Sequence, residues 1–98
     1  MKITISNEGA NITRRFFLAL ETLQVKKELR GLKSFTDRYG LNYWNISTLR
    51  KEPEKRILKA EWLAYLVSDY NISAEWLLTG RGSMFKDAAL FQSETSLP

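Results

Sequence analysis

LKSFTDRYGLNYWNISTLRK, residues 32–51, is the stretch on which the fold turns. Leu32, Phe35 and Tyr39 recur at three and four residues, the spacing that places side chains on one face of a helix. Gly40 stops that helix, since glycine enters the left-handed backbone region of a tight inter-helix turn without a Cβ penalty. Asn42 then offers a side-chain oxygen to cap a new helix, which runs through Leu49 to Lys51, and Pro53 bars its smooth continuation. Leu41 after the bend, with Ile46 and Leu49 on the second helix, supplies apolar anchors that Phe35 meets from the first. Anchoring of this kind turns the opposite face of the second helix outward.

Working outward, Asn11 is a candidate N-cap for Ile12, Phe16, Leu20 and Leu23, a first amphipathic helix expected to reach about Lys27 before the break at Gly31. Met1 to Ala10 carries an Ile3/Ile5 alternation that allows a short strand or an unordered arm. Beyond the charged connector Glu52 to Arg56, the residues Leu58, Trp62, Tyr65, Leu66 and Tyr70 trace a fourth helix that Asn71 can close. Leu63 and Val67 widen its apolar face beyond what one neighbour covers, so it is either the central helix or also meets a second subunit. Ser73 caps a fifth helix, Ala74 to Thr79, ended by Gly80 and Gly82, and Trp62 and Trp76 are expected in the core. Ala88 to Phe91 is expected to add a helical turn to a tail ending SETSLP. The chain thus divides into an N-terminal arm, 1–11, an all-α domain, 12–85, and a C-terminal tail, 86–98.

Ninety-eight residues leave room for one domain, and 44% hydrophobic with 12% aromatic residues is enough for a core. There is no cysteine and no histidine, which removes disulfides, thiolate nucleophiles, imidazole acid–base chemistry and the usual zinc ligands. No paired acid and base or metal cluster appears either, so no enzyme, no metal and no cofactor is expected, and no small-molecule ligand is evident. The Gly80–Gly82 GRG is a helix stop rather than a phosphate cradle, as no strand precedes it and no GKS/T follows. No secretory leader and no run near the roughly 18 apolar residues of a membrane span is present, so no membrane contact and a cytoplasmic location are expected. Charge is unevenly placed. Thr13 to Ala60 carries twelve Lys/Arg against five Asp/Glu, while Glu61 to Pro98 carries two against five. A basic first half is either a solvated cationic surface or a face aimed at a polyanion.

The register of Phe35, Gly40, Leu41, Ile46 and Leu49 resembles the lambda-repressor-like, Xre-type helix-turn-helix family. A second stretch, ISAEWLLTGRGSMF from Ile72 to Phe85, is similar to the closing helix of phage-repressor-type DNA-binding domains. The family tends to have a smaller residue where Thr36 stands and smaller polar residues in place of Tyr43 and Trp44. The resemblance covers about Ile12 to Phe85 and implies an all-α, five-helix lambda-repressor-like DNA-binding domain. It implies sequence-specific binding to double-stranded DNA by a transcriptional regulator, a repressor in the phage sense, acting as a homodimer. By the same resemblance, helix 43–51 lies in the major groove with Asn42, Tyr43, Trp44, Ser47, Thr48 and Lys51 facing the bases. Lys33, Arg38, Arg50, Lys55 and Arg56 are then the phosphate contacts on either side. Trp44 and Tyr43 are equally at home in a packed interface. The alternative is therefore a protein–protein interaction module or antitoxin that keeps the fold with DNA binding lost or reduced.

Overall fold

Ser6 opens the first helix. Its Oγ accepts from the Gly9 N–H at 3.1 Å, satisfying one of the donors that a helix start leaves over. The computed structural model describes residues 5–86, and in it α1 runs Asn7–Val25. The helix therefore begins before Asn11, the cap expected from the sequence, and residues 7–11 of the expected arm are its first turn. Two local facts account for the earlier start. Ala10 is buried at 1% exposure, fixing that turn against the core, and the Asn11 carboxamide oxygen is taken by Arg14 at 3.1 Å. The expected helical turn at Ala88–Phe91 and the outermost residues of the arm lie outside the described residues.

Helix α1 buries Phe16, Leu20 and Leu23 of the expected face, leaves Ile12 half-buried, and buries Thr13, Phe17 and Ala19 beside them. The Thr13 hydroxyl does not oppose that burial, because it donates to the Gly9 carbonyl at 3.3 Å. After Lys26 the chain turns sharply. Lys27 takes φ 65°, and the Glu28 N–H returns to the Leu23 carbonyl at 2.9 Å. Helices α2 (Leu32–Tyr39) and α3 (Tyr43–Lys51) follow with the bounds the sequence predicts. Phe35, fully buried, stands edge-on to Phe16 with ring centroids 5.8 Å apart and to Tyr39 at 5.1 Å, tying α2 to α1. Ile46 and Leu49 of α3 complete this core at 0% and 1% exposure.

The chain divides between Leu58 and Lys59 into two compact units, where the sequence suggested a single one. In the second, α4 (Ala60–Asp69) buries Trp62 and Leu66, and Asn71 closes it at φ 61° as expected, with the Ile72 N–H donating to the Leu66 carbonyl at 3.2 Å. Helix α5 (Ala74–Thr79) is capped by Ser73, whose Oγ accepts from the Trp76 N–H at 3.2 Å. Leu77 is the residue α5 buries. Trp76, expected in the core, is only half-buried, because its side chain leaves a helix of six residues about 100° from that of Leu77. The fold is all-α. Among the described residues the pairing of extended backbone is limited to one isolated antiparallel bridge, Ile72 to Phe85, and no helix is long and apolar enough to cross a membrane.

Gly40 sits at φ +65°, and a Cβ built there meets nothing within 4 Å, so a side chain would cost backbone strain without a clash. Gly40→Ala is expected to lower unfolding free energy by about 1–2 kcal/mol and Gly40→Asn by less. Urea denaturation measures both, and an alanine variant as stable as the parent contradicts the strain assignment.

Candidate nucleic-acid interface

The α2–α3 turn sets what α3 presents. Gly40 donates its N–H to the Asp37 carbonyl at 3.4 Å, and Leu41 donates to the Thr36 carbonyl at 2.8 Å, so the last carbonyls of α2 are satisfied by the residues that reverse the chain. Thr36 is fully buried. Its hydroxyl donates to the Lys33 carbonyl at 3.0 Å, which lets a residue larger than alanine fit without an unmet polar group. One residue past the turn, the Asn42 side-chain oxygen accepts from the Asn45 N–H at 3.0 Å and starts α3.

The 3.6-residue period then fixes the outward face. With Ile46 and Leu49 inward, Trp44, Ser47, Thr48 and Lys51 fall on the opposite side, and Tyr43 stands at its border. Trp44 is 72% exposed, its ring edge-on to that of Tyr43 at 5.4 Å. Ser47 and Thr48 are half-buried, and Lys51 is exposed and has no ion-pair partner among the described residues. The Thr48 hydroxyl donates to the Trp44 carbonyl at 2.6 Å, so its proton is spent inside the helix and it offers the surface lone pairs and a methyl group. Asn42 is exposed, but its carboxamide oxygen already serves the cap, leaving the NH₂ group for outside contact. Asn45, absent from the sequence-derived set, is exposed in the first turn. A cap at Asn42 makes residues 43–45 that turn, and this was the signal that could have found it.

All five expected phosphate contacts lie in the same unit as α3, and each of them already has a carboxylate or a ring beside it. Lys33 Nζ lies 2.6 Å from Asp37 Oδ1, one turn along α2. Glu52 serves two cations after α3, with Arg56 Nε at 3.2 Å and Lys55 Nζ at 3.9 Å. Arg38 sits 5.3 Å over the Tyr39 ring. Arg50 pairs with Glu21 of α1 at 2.8 Å and lies 5.4 Å over Phe17, so it faces α1 as much as solvent. Arg14 is paired with Glu54. Each of these ion pairs is at least two-fifths exposed on its basic side, and exposed pairs of this type are typically worth about 1 kcal/mol or less, so an incoming anion displaces the carboxylate at small cost. Among the described residues no group of three or more acidic, His or Cys side chains is placed to hold a metal ion.

Asn42→Ala removes the cap on which the first turn of α3 depends, and a loss of about 1 kcal/mol is expected. Amide exchange should speed up first at Tyr43 to Asn45; uniform exchange across α3 contradicts a capping role. Comparison of the chain with protein-family models, with curated proteins and with solved structures found no match.

Proposed function

We propose that this chain binds double-stranded DNA as a helix-turn-helix transcriptional regulator of the lambda-repressor-like, Xre type, laying α3 into the major groove. The observation that carries this is the outer side of α3, opposite the buried Ile46 and Leu49, where Trp44 and Lys51 are exposed and basic side chains stand at the edges. Trp44, Ser47, Thr48 and Lys51 on that side, with Tyr43 and the free NH₂ group of Asn42 at its leading end, are groups that read base edges and thymine methyls. Lys33, Arg38, Arg50, Lys55 and Arg56 set position on the phosphates without reading sequence. A helix of nine residues reaches only a few base pairs. A two-fold homodimer with recognition helices about 34–36 Å apart, on a palindromic site, meets the need for specificity.

The exposure of Trp44 favours a second function in its own right. Aromatic side chains of this kind are the usual centres of protein–protein contacts, so a partner-binding module or antitoxin built on the same fold is the competing proposal.

Fluorescence anisotropy on a pool of random duplexes over a range of salt separates the two. If the five flanking basic residues neutralise phosphates, the log–log salt slope is about −4.5. Lys51→Ala is expected to weaken binding, and Arg50→Ala to weaken it and reduce the steepness by about 1. Absence of binding, or binding indifferent to salt, defeats the DNA proposal. Loss of self-association or of a protein complex in Trp44→Ala, with DNA affinity intact, selects the second.

A further inference from the structure

Trp44 and Thr48 stand one helical turn apart on the outer side of α3, so their side chains share a face. Trp44 is 72% exposed, and its indole offers a wide hydrocarbon surface with a single N–H donor and no acceptor. Tyr43 braces it, the two rings meeting edge-on at 5.4 Å. Thr48 is half-buried beside it. The Thr48 hydroxyl gives its one proton to the Trp44 carbonyl at 2.6 Å, and what it has left for a ligand is acceptor lone pairs and a methyl group. Together the pair makes an apolar surface with a hydrogen-bond acceptor at its side.

The major groove offers few counterparts to that combination. Thymine presents a C5-methyl group beside O4, which is an acceptor, and cytosine presents the N4 amino donor with no methyl group. 5-Methylcytosine presents both a methyl group and, next to it, the amino donor. Its methyl group seats on the indole while the amino group donates to Thr48 Oγ1. Thymine in the same place sets O4 against an oxygen with no proton to give. The guanine of the pair shows O6 and N7, two acceptors. Lys51, exposed on the same face a turn beyond Thr48, carries donors only and suits them.

We propose that the outer face of α3 recognises a 5-methylcytosine–guanine base pair in double-stranded DNA, with Trp44 seating the methyl group and Thr48 accepting from the amino group. The proposal rests on the DNA-binding reading of this face and names the ligand that the face selects.

Two versions of one random-duplex pool test it, amplified with deoxycytidine triphosphate or with 5-methyldeoxycytidine triphosphate. Each is titrated with the full chain at the same salt, so that phosphate attraction is equal in both. The methylated pool is expected to contain the tighter-bound duplexes. In a duplex recovered from it, removing the one methyl group is expected to weaken binding about fourfold, the worth of burying a single methyl group. Replacing that pair with thymine–adenine is expected to weaken it about tenfold. Trp44→Ala should abolish the response to the methyl group. Thr48→Val keeps the shape of the side chain without its acceptor, and should abolish the discrimination against thymine. Equal binding of the two pools, or a methyl preference that survives Trp44→Ala, overturns the proposal and leaves DNA binding itself standing. No binding to either pool overturns the DNA-binding reading along with it.

Discussion

The hydrogen bond from the Leu41 N–H to the Thr36 carbonyl, closed across a left-handed Gly40, fixes the direction in which the chain leaves α2. What α3 presents follows from that direction. Asn42 arrives with extended backbone, where its side chain can accept from Asn45 and begin the helix in one register. That register sends Ile46 and Leu49 into the aromatic cluster around Phe16 and Phe35, and by helical period alone it leaves Trp44, Ser47, Thr48 and Lys51 on the far side. A turn of different geometry would rotate the whole set together. The chemistry of the surface therefore depends on a bend whose own side chain is a single hydrogen atom.

Where punctuation was unambiguous, the sequence could be read to the residue. Gly40, Asn42, Ser73 and Gly80 each have one strong physical use at a helix end, and α2, α3 and α5 have the bounds those residues predict. The start of α1 could not be read this way. Ser6 and Asn11 are both competent caps, and burial of Ala10, a tertiary fact, decides between them. Trp76 was placed wrongly for a related reason. Its size argues for the core, but a six-residue helix turns only one narrow side inward, and Leu77 takes it.

Electrostatics were the least legible part. Counting charges from Thr13 to Ala60 gives a large basic excess, yet the count says nothing of which cations are already engaged. The Lys33–Asp37 pair can be seen from its spacing along one helix. The Arg50–Glu21 and Arg14–Glu54 pairs join residues far apart in sequence and exist only because α1 is folded beside α3 and the segment after it. Lys33, Arg50, Lys55 and Arg56 each have a carboxylate beside them, so the net charge overstates the free positive charge of this surface. The same exposure that makes these pairs weak also makes them exchangeable.

Arg50, over the Phe17 ring and held by Glu21, is a strut between the far end of α3 and the middle of α1. The joint between these two helices is therefore only as stiff as an ion pair that is about half exposed, and residue 21 sets that stiffness as much as residue 50 does.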